Sequence, residues 1–119
     1  MSLDVYLYRT GTTHWDDGSS EEIKDYVCDL NITHNLNKMA IELGVYEHLW
    51  RPDEIGVSKA WELIDPLSKA LEQMDENPKY YRQFDAPNGW GTFEVLIKFI
   101  ERYLEKCKEY PNSYIEVSR

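Results

Sequence analysis

The 119-residue chain contains two cysteines, Cys28 and Cys107, and neither has a CxxC partner. Both fall in apolar stripes, where the expected state is a buried, reduced thiol; a disulfide would need an oxidising compartment that nothing else in the sequence implies. Basic residues are also few. Lys and Arg number 13 against 22 Asp and Glu, with a formal net charge of −9 and a sequence pI near 4.7. Binding to a nucleic-acid backbone relies on clustered cations, so that class is excluded. No apolar run approaches the roughly 20 residues of a membrane-spanning helix. The opening Met-Ser-Leu-Asp-Val-Tyr lacks the basic-then-apolar layout of a signal peptide, and the expected compartment is therefore cytoplasmic. Chemistry-bearing motifs are equally sparse. There is no HExxH or closely spaced histidine pair among His14, His34 and His48, no GxSxG, and no GxxxxGK[ST] loop. Adjacent carboxylates such as Asp16/Asp17 and Asp53/Glu54 read as solvated and do not define a glycosidase-type pair. Neither a metal, a cofactor nor a catalytic constellation is expected.

What is present is a foldable chain of one domain, residues 1–119. Hydrophobic residues make up 42%, enough for a single core at this length despite the charge. Asp4–Arg9 is rich in β-branched and aromatic types and reads as a first strand. Thr10–Ser20 reads as a loop with a turn signal at Asp17-Gly18. Tyr26–Ile32 alternates, placing Cys28, Leu30 and Ile32 toward the core and Asp29 and Asn31 on the other side. The two strands are expected to pair antiparallel.

A helix then follows a turn at Thr33-His34-Asn35, with Leu36, Met39, Ala40 and Leu43 on one face. Thr33 or Asn35 serves as N-cap and Gly44 as C-terminal stop. A short helical piece spans Val45–Trp50, and Arg51–Glu54 forms a turn. Val57–Met74 reads as one longer helix with Val57, Ala60, Trp61, Ile64, Leu67, Leu71 and Met74 inside. Pro66 either kinks it or starts a new segment capped by Asp65; the unbroken phase of the apolar face favours the kink. Pro78–Phe84 adds a turn, Asp85–Pro87 is a loop, and a final helix ends near Tyr110. Its apolar set is Phe93, Leu96, Ile97, Ile100, Leu104 and Cys107, widened by Val95, Phe99 and Tyr103. Ser113–Val117 reads as a last strand pairing with the first. The expected fold class is α+β, a small antiparallel sheet of three strands packed against three to four helices.

The most site-like stretch is Asn88-Gly89-Trp90-Gly91-Thr92-Phe93-Glu94, at the entrance of the final helix. Unpaired N–H groups and the positive dipole end suit an anion there. Gly89 would allow close approach, Trp90 would stack on a base or ring, Thr92 would donate a hydroxyl, and Arg51 would supply a fork for phosphate or carboxylate. Against this stands a purely structural role. Trp90 before a Gly91 cap would pack on Val95 as a staple, with Glu94 reaching back to the cap. The staple is the preferred reading, since Glu94 would also compete with an anion. Asn31-Ile32-Thr33-His34-Asn35 is the second candidate, because a loop after a strand is held by a rigid scaffold. Asn31, His34 and Asn35 would contribute polar groups, although capping alone accounts for Thr33 and Asn35. The ligand hypothesis requires these two turns to meet. Trp61 is expected in the core. Trp15, Trp50 and Trp90 each adjoin a turn and are candidates for an exposed aromatic patch, with burial almost as good an account of Trp50.

Three short stretches, Ser2-Leu3-Asp4-Val5-Tyr6-Leu7, Leu30-Asn31-Ile32-Thr33-His34-Asn35 and the Gly89-Trp90 pair, carry a resemblance that would extend over most of the chain. In these the chain resembles a group of small uncharacterised proteins found in phages and bacterial genomes. The resemblance implies context, an accessory protein encoded by a phage or prophage, and no activity. Two classes of function are therefore expected. The first is a non-enzymatic interaction module whose acidic, aromatic surface binds a host or phage protein. The alternative is a small-molecule protein binding a nucleotide-like anion through Asn31, His34, Asn35, Arg51, Asn88, Gly89, Trp90 and Thr92. An enzyme ranks third.

Overall fold

The N-terminal alternation runs much further than its apolar core suggests. In a computed structural model that describes residues 2–87 and 89–119, β1 spans Ser2–His14 and β2 spans Ser20–Thr33, joined by a tight turn. The residues read as a loop, Thr10 to Ser20, are therefore mostly strand, and only Trp15–Ser19 form the turn. Strand propensity here comes from Thr10, Thr12 and Thr13, paired with Lys24, Glu22 and Glu21, with almost no burial to mark it in the sequence. The turn closes through Trp15 N–H to Ser19 O and Gly18 N–H to Trp15 O. Gly18 sits at φ 88°, and the Asp17 carboxylate accepts from the Ser19 amide and hydroxyl.

The pairing of β1 with β2 is antiparallel, from Ser2 opposite Thr33 to His14 opposite Ser20. Its register shifts by one residue between Leu7 and Tyr8, a bulge that twists the ribbon. β3 (Tyr114–Ser118) pairs antiparallel with β1 over Asp4–Tyr8, so the sheet order is β2-β1-β3. Beyond Tyr8 the third strand stops and the β1–β2 ribbon continues alone. The molecule is accordingly elongated, with principal extents of 61 × 27 × 22 Å.

The odd residues Leu3, Val5 and Leu7 face inward with Leu30 and Ile32, and all five are buried. Over them lie the helices. A 3₁₀ turn, His34–Leu36, leads into α1 (Asn37–Leu43), and Thr33 caps the turn by accepting from Asn35 N–H. Gly44, at φ 77°, ends α1 in the left-handed conformation expected of a C-terminal stop. α2 spans Tyr46–Trp50, α3 Ile64–Glu76, α4 Pro78–Arg82 and α5 Phe93–Glu109. α5 packs on both β2 and α3. Its Leu96, Ile100, Tyr103 and Cys107 are fully buried, each apolar side chain contributing about 2–3 kcal/mol of burial free energy.

Two expectations about the middle of the chain need correction. Val57–Met74 is not a single kinked helix. A 3₁₀ segment, Ala60–Leu63, precedes α3, and Pro66 sits in the first turn of α3, where a missing N–H breaks no helical bond. The threefold period of the 3₁₀ segment buries Ala60 and Leu63 and turns Trp61 out, 55% exposed, although the helical spacing had placed it in the core. Val95 is likewise exposed on α5, whereas Phe99 and Tyr103 of the same stripe are buried.

The two sheet edges are treated differently. β3 is covered by the segment ahead of α3, through a bridge between Lys59 and Tyr114 and bonds from Ile115 N–H to Ser58 O and Ala60 N–H to Ser113 O. β2 forms the opposite edge and pairs with β1 alone.

Candidate functional site

The turn after β2 and the turn before α5 meet. Asn35 donates from its side-chain amide to the Trp90 carbonyl at 2.8 Å. Gly91 is pressed against the same turn: a Cβ there would lie 3.2 Å from Asn35 Cβ and Leu36 Cγ and 3.3 Å from Thr33 Cγ2. Its φ of 129° is a second reason for glycine, because side-chain-bearing residues rarely adopt it. His34 Nδ1 accepts from Nε1 of the buried Trp50 at 2.9 Å.

The start of α5 is already satisfied from within the chain. Thr92, not Gly91, is the N-cap, and its hydroxyl oxygen accepts from Val95 N–H. Asp85 accepts from Phe93 N–H at 2.7 Å. Glu94 pairs with Arg82 at 2.9 Å instead of reaching back to the cap. Its carboxyl is held below its ordinary range by the Glu94 backbone N–H first and by Arg82 second. Trp90 is 72% exposed and Val95 also lies open, so the two do not form a buried staple. Two carboxylates at a helix start oppose an anion there.

The remaining sequence-named residues are dispersed. Asn31 lies on the outer face of the sheet and donates to Ser2 Oγ and to Asp4 at 2.7 Å. Arg51 is engaged by Glu54 at 2.7 Å and by the Tyr46 hydroxyl; those contacts raise its pKa, with Tyr46 the larger cause. Gly89, at φ 75°, closes the turn by donating to the Ala86 carbonyl. Asn88 lies outside the described residues. The structure thus joins Asn35, Trp90 and Thr92 around Gly91, with His34 behind them, and leaves Asn31 and Arg51 to other partners.

Comparison with protein-family models, with curated proteins and with solved structures found no match. The geometry of this chain must therefore carry the functional argument by itself.

Three surface features lie outside the ligand-binding residues named from the sequence. The first is the ribbon beyond β3, Arg9–His14 against Ser20–Asp25, whose residues are nearly all exposed. Trp15 at its tip and Ile23 on its flank are open large apolar side chains. Gly11 stands opposite Ile23 and offers no side chain to cover it. The second is the outer face of the sheet, where Tyr8 packs on Tyr26 and Tyr114 with ring centroids 5.6 and 5.5 Å apart, and Tyr6 packs on Tyr26 at 5.8 Å. The alternation of Tyr6 and Tyr8 with Val5 and Leu7 was the available signal. Lys24 lies over the Tyr8 ring at 4.7 Å and pairs with Glu116. The third is a cleft of about 410 Å³ along the β2 edge, lined from the sheet by Tyr6, Asp29 and Leu30 and from α5 by Val95, Lys98 and Arg102.

Cys28 is half-buried and Cys107 buried. Burial pushes both thiols up, Cys107 to about 12, which makes each a poor nucleophile. Among the described residues no three His, Cys, Asp or Glu side chains gather as metal ligands, and no helix is long and apolar enough to cross a membrane.

Proposed function

We propose that the protein is a small, non-enzymatic interaction module, an accessory protein of phage or prophage context, and that the β1–β2 arm is the element that engages a protein partner. One observation carries this reading: the ribbon continues well past the last strand that supports it. A two-stranded hairpin is marginal in water, and chain kept in that form without core contacts needs another use. The arm spans about 20 Å at the usual strand rise. Between Arg9 and Asp25 it holds five carboxylates against two cations. Arg9 pairs with Asp25 and Lys24 with Glu116, whereas the carboxylates of Asp16, Glu21 and Glu22 make no hydrogen bond or ion pair among the described residues. An apolar tip beside open carboxylates suits a basic partner surface with an apolar pocket. Reversing Asp16, Glu21 and Glu22 to Lys spares Asp17, which holds the turn through Ser19, and should weaken capture of the partner by tenfold or more, about 1.4 kcal/mol. Capture that is unchanged by the reversal sinks the proposal.

A second reading, a nucleotide-like anion bound at the entrance of α5, is favoured by the contact of Asn35 with Trp90, which brings together the two turns it needs. It is opposed by Asp85 and Glu94 at the helix start. Native mass spectrometry against a nucleotide panel separates the two. A retained nucleotide that is lost in Trp90→Ala would favour the anion over the arm.

A further inference from the structure

The arm is not the only unpartnered element, and the open β2 edge differs from it in one respect: a helix stands beside it. The cleft along this edge is built from both faces of the sheet and from α5. Asp4, Tyr6, Asp29 and Asn31 come from the outer side, Leu30 from the inner side, and Val95, Lys98, Phe99 and Arg102 from the helix. Those four α5 positions are spaced by three and four residues, so they form one stripe facing the gap. From Cys28 to Thr33 the pairing with β1 is regular, which leaves a straight row of backbone groups on the free side. Strand edges are usually blunted or covered, and this fold covers the β3 edge with residues 58–60. The β2 edge has no such cover among the described residues.

Charge selects the occupant. Lys98 and Arg102 are exposed, and neither makes a hydrogen bond or ion pair among the described residues, in contrast to Arg9, Arg51, Arg82 and Arg119. Val95 stands open one turn away. A second copy paired antiparallel over Cys28–Asn31 would bring Asp29 of each chain close to that of the other and join two chains of net charge −9, and like charges across a strand pair destabilise it. An extended peptide with a carboxylate toward α5 meets no such conflict.

We infer that the β2 edge beside α5 binds an extended acidic segment of a protein partner as a fourth strand. Its backbone pairs with Cys28–Asn31, a carboxylate meets Lys98 and Arg102, and an aliphatic side chain at an alternate position fills the gap at Val95 and Phe99. Strand addition obtains affinity from main-chain bonds and selectivity from alternate side chains, and this edge offers both. The inference is independent of the arm, which lies at the other end of β2.

The test uses the full chain and a displayed library of short random peptides. Enriched peptides should share an Asp or Glu two positions from a Val, Ile or Leu. Titrated by fluorescence polarisation, the best of them should weaken by tenfold or more toward the Lys98→Glu, Arg102→Glu double variant, the scale of losing a charged contact. The same peptide with alternate backbone amides N-methylated should lose binding, because it can no longer pair with the edge. Amide shifts in the NMR spectrum should cluster on Cys28–Asn31 and Val95–Arg102, and binding should persist when the arm is trimmed. Failure to enrich acidic peptides overturns the inference, as does binding indifferent to N-methylation. A dimer that the double variant dissolves would assign the edge to a second copy and overturn it equally.

Discussion

Gly91 is the residue on which the junction of the two turns depends. With its φ at 129° and Thr33, Asn35 and Leu36 within 3.3 Å of a would-be Cβ, Gly91→Ala is strained in backbone and in packing alike. We expect a loss of about 1–3 kcal/mol in chemical denaturation, the usual range for forcing a disfavoured backbone state. An unaltered midpoint would show that the turn before α5 yields freely. Glu62 provides a residue-scale test of pH dependence. Its carboxylate accepts from the backbone N–H groups of Lys59 and Ser58, both at 2.9 Å, and these bonds, Lys59 foremost, lower its pKa. A carboxylate with a depressed folded pKa stabilises above its unfolded value, near 4.5, and that contribution fades as pH falls through the folded value. Glu62→Gln should therefore melt lower than the parent at pH 7, with the two melting curves converging in acid. Equal melting at pH 7 would contradict the capping role. Residue identity carried part of this scale plainly, since Gly44 as a helix stop and Thr33 as a cap follow from their chemistry. Trp61 did not, because a 3₁₀ segment and an α-helix bury different residues of the same short sequence. Trp90 was legible only as a turn residue; its partner Asn35 lies 55 positions away, and no local pattern reports such a contact.

Among the elements, α5, α1, α2 and the order β2-β1-β3 were legible because burial imposes a period, 3.6 or 2, on the apolar residues. The arm was not, for the same physical reason. Thr10–His14 and Ser20–Asp25 bury nothing, so their alternation carries no apolar signal, and Thr, Gly, Asp and Ser read as loop. That order already makes β2 an edge strand; what was illegible is that the segment ahead of α3 covers the β3 edge while β2 pairs with β1 alone. If the arm takes no part in the core, its removal should be tolerated. Arg9 and Asp25 are directly paired, so replacing Thr10–Lys24 by Asn-Gly closes the ribbon in a two-residue turn. The trimmed protein should keep the parent's helical circular dichroism and lose no more than about 1 kcal/mol of stability, the scale of a few exposed cross-strand pairs. Unfolding of the trimmed chain would mean that the ribbon supports the sheet.

For the molecule as a whole, shape and charge are the observables. The Cα radius of gyration is 16.4 Å, whereas a compact domain of this length would have about 13.5 Å. Solution scattering should show the larger value for the parent and about 13 Å for the trimmed protein. Equal values would mean that the ribbon folds back on the body. A net charge of −9 opposes self-association of a molecule that leaves Trp15, Trp61 and Trp90 exposed. The most direct test of the interaction reading is quantitative affinity capture with the parent and the trimmed protein side by side, each first shown to be folded. The arm reading predicts a partner held by the parent at low salt, released as ionic strength rises, and lost by the trimmed protein. The same partners recovered in the same amounts by both proteins would contradict it.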